Sequence, residues 1–140
     1  MTINIEKIKI GYNPRSEIGD IGSLKESIRQ IGLLNPLLVR PKADSYEIVG
    51  GHRRFKALQE LGITDIEVKI KEISDEEACN IAFIDNEERN QLDPIEQALH
   101  FSKMITEYGY KTKSNDKSKS LADIYGISQQ LISFKIQLLD

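Results

Sequence analysis

Three stretches of this chain hold residues whose types and spacing can do chemistry. The first is VGGHRRFKAL, residues 49–58. Gly50 and Gly51 allow a ligand to approach the backbone closely where a strand should end. The helix that should follow offers unsatisfied N–H groups and a positive dipole end to an anion. Arg53 and Arg54 add planar forks suited to phosphate oxygens, and His52 lies within reach of the same group. The pattern GxxxxGK[ST] is absent, so this is not a P-loop. Two readings stay open on the residues alone: a phosphate cradle, or a tight turn whose arginines are solvated and whose His52 makes an ordinary surface hydrogen bond.

The second stretch is IAFIDNEERNQLDPIE. Asp85 and Arg89 are four apart and share a helix face, and Asn86 lies three before Arg89. A carboxylate, an amide and a guanidinium on one face suit Mg²⁺ bound jointly with a phosphate, since that ion takes oxygen ligands and keeps company with phosphates. An exposed ion pair on an acidic helix is the alternative.

The third is SLADIYGISQQLISFKIQLL, residues 120–139. A short apolar helix, a turn at Gly126 and a second helix make a helix-turn-helix pattern. Leu121, Ala122, Ile124, Ile127, Leu131 and Ile132 are its expected core. Ser128, Gln129, Gln130, Ser133 and Lys135 are left for a groove, with Lys119 before the first helix. Gln and Lys suit base edges, and Ser suits phosphates. A plain helical hairpin is the alternative. Of the remaining reactive residues, Cys79 sits near Ala78 and Ala82 and is read as core, and His100 has no metal-ligand partner at useful spacing.

The elements that must position these residues follow from periodicity and caps. Ile3, Ile5, Ile8 and Ile10 predict a short N-terminal strand with a slip in its alternation. Ser23 with Glu26 predicts a capped helix that Gly32 stops. PLLVRP, bounded by Pro36 and Pro41, and YEIVG predict two strands. The helix after Gly51 ends at Gly62, and Ile66–Ile70 is a third core strand. Beyond Ser74 the pattern is helical. Ser74 with Glu77 opens one helix, and Asp93-Pro94 with Glu96 opens another that Gly109 ends. Residues 111–120 contain no apolar side chain and are expected to be a mobile loop. The expected fold is α+β: a small α/β domain over 1–90, then an all-helical region over 91–140.

Composition bounds the class. At 140 residues, 39% hydrophobic and 29% charged, the chain has the balance of a globular domain large enough to bury a core. One cysteine excludes an internal disulfide framework and any cysteine-based zinc site, and points to a reducing compartment. No apolar run approaches ~18 residues, so no membrane partner is expected. The net charge of −3 conceals a segregation: residues 1–58 carry 10 basic against 6 acidic side chains, 59–102 carry 3 against 12, and 103–140 carry 6 against 4. Phosphate-rich partners therefore suit the two ends and not the acidic middle.

In order, YNPR, SLKESIRQIGLLNPLLVRP, YEIVGGHRRFKAL, DNEERNQLDPIEQA and the helix-turn-helix resemble the ParB family of chromosome and plasmid partition proteins, over nearly the whole chain. The pair GGHRRFKA and DNEERNQLDPIEQA is the specific part; the family's usual forms are close to GERRxRA and ENxQRxxLxPIEEA. The resemblance implies a ParB/sulfiredoxin-like α/β domain that binds a nucleotide, typically CTP, with Mg²⁺, followed by a helix-turn-helix that reads a centromere-like DNA site. It implies phosphate contacts from Gly50, Gly51, His52, Arg53 and Arg54, support from Arg15, a metal near Asp85 and Asn86, and a phosphate-binding or bracing role for Arg89. Weak CTP hydrolysis would act as a conformational switch. The implied partners are a partition ATPase of the ParA type and a second copy of the chain. The implied place is the cytoplasm, on nucleoid or plasmid. This chain departs from the pattern at His52, where the family usually has Glu, at Asp85 for Glu, at Glu88 for Gln, and in its long loop 109–120. Because the family normally continues to a dimerisation region, the chain is expected to be a fragment. Sulfiredoxin resembles GGCHR at the same turn, and this chain has no cysteine between Gly51 and His52, which argues against that chemistry. Two other implied readings are a small-molecule kinase on the same fold and a partition adaptor that has lost nucleotide binding.

Overall fold

In a computed structural model, the structure describes residues 1–16, 18–89 and 92–139, with the side chains of Glu88 and Arg89 outside the description. The chain forms two compact units. Met1–Asn13 and Glu17–Asp85 make the first; Pro14–Ser16 and Asn86–Asp140 make the second.

The first unit is a five-stranded mixed sheet with helices. Its elements are β1 (Thr2–Asn4), β2 (Ile8–Ile10), α1 (Gly22–Ile31), β3 (Leu37–Lys42), β4 (Ser45–Gly50), α2 (His52–Glu60), β5 (Asp65–Ile70) and the start of α3 (Asp75–Arg89). The strand order is β1-β5-β3-β4-β2. β1 runs antiparallel to β5, and β2 runs parallel to β4. The expected single N-terminal strand is therefore two, joined by a 3-10 turn over Ile5–Lys7. These two strands occupy opposite edges of the sheet. Four residue steps span at most ~14 Å, whereas a flat five-stranded sheet separates its edges by ~19 Å. The sheet must therefore curl until its edges approach, and the Ile5 N–H bond to the Thr64 carbonyl, 2.7 Å, ties the crossing segment down.

Leu37, Val39, Ile48, Ile66 and Val68 line the buried face of this sheet, with Ile28 of α1 and Phe55, Ala57 and Leu58 of α2 packed in the same core. Full burial of such side chains is worth ~1.5–3 kcal/mol each. β3 runs on through Pro41 to Lys42 instead of ending before the proline. Within β3, only Leu37–Val39 pair with β5, so the missing proline N–H falls where that ladder has already stopped. α1 begins at Gly22 and not at Ser23, because the Asp20 carboxylate accepts from the Gly22 N–H at 2.8 Å. Glu26 turns instead to the Arg29 guanidinium.

The second unit is helical: the last turn of α3, α4 (Pro94–Tyr108), α5 (Leu121–Tyr125) and α6 (Gln129–Gln137). The Asp93–Glu96 capping box is complete, and Gly109 ends α4 in the left-handed region. Ala98, Phe101, Met104, Leu121 and Ile132 are fully buried, with His100 among them. His100 Nε2 lies 2.8 Å from the Tyr125 hydroxyl. Leu131, expected in this core, is instead 42% exposed. Ile132 and Ile136 take the inward arc of α6, and Leu131 falls on its outer side. Residues 111–120 carry ordered backbone bonds. Their ends pair in a parallel bridge between Lys111 and Ser120, and Asp116 caps a 3-10 turn over Lys117–Lys119.

Candidate functional site

The turn from β4 into α2 is built around Gly51. Its φ of 90° lies in the left-handed region, and a Cβ there would stand 2.9 Å from Leu37 Cδ2 and 3.0 Å from Arg54 Nη2. Glycine is required both for the conformation and for the space. Among the described residues no side chain caps α2, and its first turn holds no acidic residue, so its leading N–H groups keep their affinity for an anion. A Cβ on Gly50 would meet the Asp85 carboxylate, with Cγ at 3.8 Å and Oδ2 at 3.9 Å. α3 thus brings Asp85 to the glycine turn.

The side chains of this turn are partly committed. Arg53 is exposed and donates from Nη2 to the Asp20 carbonyl at 2.8 Å. Arg54 donates from Nη1 to the Asn35 carbonyl at 2.9 Å. Both arginines brace the loops on either side of α1. His52 makes no such bond through Nε2: it is 7% exposed, and that atom has no hydrogen-bond partner among the described residues. Burial pushes its imidazole below the ordinary value, against the pull of the Asp85 and Glu47 carboxylates. A buried polar atom without a partner costs ~1–3 kcal/mol, a cost that a bound acceptor or donor would relieve.

Glu47 belongs to a partly buried network, centred on Arg40, that sequence reasoning missed. Arg40, 5% exposed, donates to Glu47 Oε1 at 2.8 Å, to Asp75 Oδ1 at 2.6 Å and to the Ile73 carbonyl at 3.1 Å. Burial opposes the guanidinium charge, but Glu47 and Asp75 outweigh it and hold the pKa above its ordinary value. The only signal in the sequence was a charged residue inside an otherwise buried strand, LLVRP.

In the second unit, Arg15 Nε donates to Asn86 Oδ1 at 3.0 Å. The amide oxygen expected near a metal therefore orients an arginine. The adjacent Ser16 donates from N–H and hydroxyl to Glu96 Oε2 at 2.7 and 2.8 Å. Burial resists ionisation of Glu96, yet these donors and the Asp93 N–H hold its carboxyl below the usual range. Arg89 closes α3; its side chain lies outside the described residues. No group of three or more His, Cys, Asp or Glu able to hold a metal occurs among the described residues.

The helix-turn-helix residues separate by face. Gln129 and Gln130 are exposed and Ser133 is half-buried. Gln130, Ser133 and Gln137 follow one another at i, i+3 and i+7 on a polar arc. Gln137 was not singled out from sequence, although this spacing would have found it. Ser128 uses its hydroxyl to accept from the Leu131 N–H at 3.2 Å, capping α6. Two expected outward contacts turn inward. Lys119 Nζ donates to the Tyr108 carbonyl at 3.1 Å and lies 4.8 Å from the Tyr110 ring centroid, and Lys135 Nζ bonds Gln97 Oε1. Both gain a fixed acceptor within the second unit.

A curled mixed sheet with a glycine-led, uncapped helix beside an acidic helix, followed by a helix-turn-helix, defines a ParB-type architecture. The family model described as ParB N-terminal domain matches residues 1–87, and the chain belongs to that family. It is 41% identical over 107 residues to a probable chromosome 1-partitioning protein ParB of Deinococcus radiodurans, covering 74% of this chain and 37% of that protein. It is 34% identical to a probable chromosome-partitioning protein ParB of Neisseria meningitidis, covering 99% of this chain and 48% of that one. The chain thus spans less than half the length of these relatives. Among solved structures, it resembles a C-terminally truncated ParB of Caulobacter crescentus complexed with CTP-gamma-S, with 28% identity, a TM-score of 0.58, and 99% of this chain and 77% of that chain covered. The same organism's protein complexed to the centromeric parS site matches in fold, with a TM-score of 0.65 at 24% identity over 99% of this chain and 71% of that one.

Proposed function

We propose that this chain is the nucleotide- and DNA-binding part of a partition adaptor that binds CTP with Mg²⁺ and a centromere-like DNA site. The observation that carries the nucleotide reading is the Gly50–Gly51 turn: an uncapped helix start, a left-handed glycine with no room for a Cβ beside Leu37 and Arg54, a buried His52 whose Nε2 has no partner among the described residues, and the Asp85 carboxylate 3.8 Å from the Gly50 Cβ position. The likeness to a ParB complexed with CTP-gamma-S supports it. In this reading Gly50, Gly51 and the first N–H groups of α2 hold phosphate oxygens. Arg53 and Arg54 exchange a backbone carbonyl for a phosphate or keep bracing the loops while their charge attracts it. Arg15 and Arg89 support the phosphates, and Asp85 with Asn86 takes the metal. Bound nucleotide supplies a phosphate chain whose presence or loss switches the state of the adaptor.

The DNA reading rests on Gln129 and Gln130, exposed at the start of α6, with Ser128 and Ser133 beside them. The whole protein would act as a homodimer with a ParA-type ATPase, in the cytoplasm on nucleoid or plasmid DNA. A second reading, an adaptor that binds DNA without nucleotide, is favoured by one observation: Arg53 and Arg54 both already hold backbone carbonyls.

Calorimetry with a panel of nucleoside triphosphates and Mg²⁺ separates the two. Saturable binding of CTP is expected, weakened by at least ~1.5 kcal/mol in Arg53→Ala, the worth of a charge-assisted hydrogen bond. Absence of heat for every triphosphate, with DNA binding retained, would establish the second reading.

A further inference from the structure

The loop between α4 and α5 is a lysine-bearing platform. Its ends are closed by backbone bonds from Lys111 N–H to the Lys119 carbonyl, 2.9 Å, from Leu121 N–H to the Lys111 carbonyl, 2.9 Å, and from Ala122 N–H to the Thr112 carbonyl, 3.0 Å. Two of these donors lie in the first turn of α5, so the loop is fastened directly to the first helix of the helix-turn-helix. Inside the loop, Asp116 is consumed. Its Oδ1 accepts from the Ser118 N–H at 3.1 Å and from the Ser118 hydroxyl at 2.6 Å, which holds its carboxyl below the ordinary range. Lys119 points inward, as described, and Lys113 meets Asp123 at 3.2 Å. Lys111 and Lys117 are exposed and have no ion pair among the described residues.

When a helix-turn-helix docks, its second helix enters the major groove and its first crosses the phosphate backbone. A loop fastened to the first helix lies beside the element that crosses that backbone. Resting on the DNA-binding reading above, we propose that residues 111–118 form a backbone clamp in which Lys111 and Lys117 contact phosphates flanking the base pairs addressed by α6. The clamp supplies affinity without sequence preference, and it takes the phosphate role that Lys119 and Lys135 are turned away from. Closure by the Lys111–Ser120 bridge lowers the ordering cost that a floppy lysine loop would meet on binding.

The test is a salt titration of binding to a random-sequence DNA duplex, read by fluorescence anisotropy. The Lys111→Ala/Lys117→Ala variant should flatten the log–log salt slope by about 1.8, at ~0.9 per lost phosphate contact. It should lower affinity for all duplexes by the same factor and leave the circular-dichroism melt unchanged. Lys7→Ala/Lys9→Ala, which removes the same charge from the first unit, should leave the slope where it was. An unchanged slope in the loop variant, with wild-type DNA binding intact, overturns the clamp alone. Equal losses in both double variants reduce it to net charge and also overturn it. Loss of binding to duplex RNA but not to DNA would make the loop an RNA surface. Wild-type protein that binds no DNA at any salt overturns the DNA reading itself, and the clamp with it.

Discussion

In the function proposed above, the glycine turn of the first unit and the α5–α6 end of the second would meet their ligands in opposite ways. At the turn the ligand-facing chemistry is mainly backbone, and the arginines whose charge would attract phosphate already bond carbonyls, Arg53 that of Asp20 and Arg54 that of Asn35. At the helical end the backbone is satisfied by caps from Ser120 and Ser128, and the side chains Gln129 and Gln130 are left to solvent. A site made of backbone cannot be altered without altering the fold. A site made of exposed side chains can be erased with the fold intact.

Three measurements would break or sharpen this contrast. The largest effect belongs to Gly51→Ala. Left-handed strain costs ~1–3 kcal/mol, and the approach to Leu37, which is fully buried, adds overpacking, so the first unit should lose about 3 kcal/mol in urea melts. A variant as stable as wild type would show that the turn relaxes, and the backbone-built description would be lost.

The next effect is acid sensitivity of the helical unit. Burial, aided by the Lys103 charge, lowers the His100 pKa to about 3, well below that of the unfolded chain, ~6.5. Above that unfolded value both states are neutral and His100 adds no pH dependence. As pH falls below it the unfolded chain gains a proton that the folded one refuses, so stability declines with a slope of up to ~1.4 kcal/mol per pH unit. Between pH ~6.5 and ~5 this amounts to about 2 kcal/mol at most. His100→Gln should be less stable at neutral pH and nearly flat over that window. Parallel pH profiles for the variant and wild type would remove His100 from the explanation.

The smallest effect on folding comes from the exposed residues. Gln130→Ala should change stability by less than ~0.5 kcal/mol while weakening binding to the cognate duplex by at least ~1 kcal/mol. A stability loss larger than the binding loss would mean that the polar arc of α6 is structural after all.

What could be read from the sequence was local. Asp93-Pro94-Glu96, Ser74 with Glu77 and Gly109 are signals within one turn of chain, and the structure places each at the helix end expected of it. The glycine turn and the exposed Gln129 and Gln130 were legible for the same reason. What escaped depended on distant partners. The split of the N-terminal strand follows from the sheet closing on itself. The inward turn of Lys119 follows from a carbonyl at Tyr108 and a ring at Tyr110. The order of loop 111–120 comes from main-chain bonds, which its side-chain pattern does not record. The Arg40–Glu47–Asp75 network joins β3, β4 and α3, and no spacing within any one of them announces it.

The strand pairings also set an order of events. Thr2 and Ile3 find their register only against Glu67 and Ile66, and the Thr2 hydroxyl reaches Glu67 Oε2 at 2.9 Å. β1 therefore waits for β5, which is made later, to emerge from the ribosome. Until then β1 has no partner, which makes sheet completion a late, high-contact-order step of folding. During that interval an uncovered strand edge is open to pairing with other chains. Conditions that slow translation through residues 60–70 would lengthen that exposure.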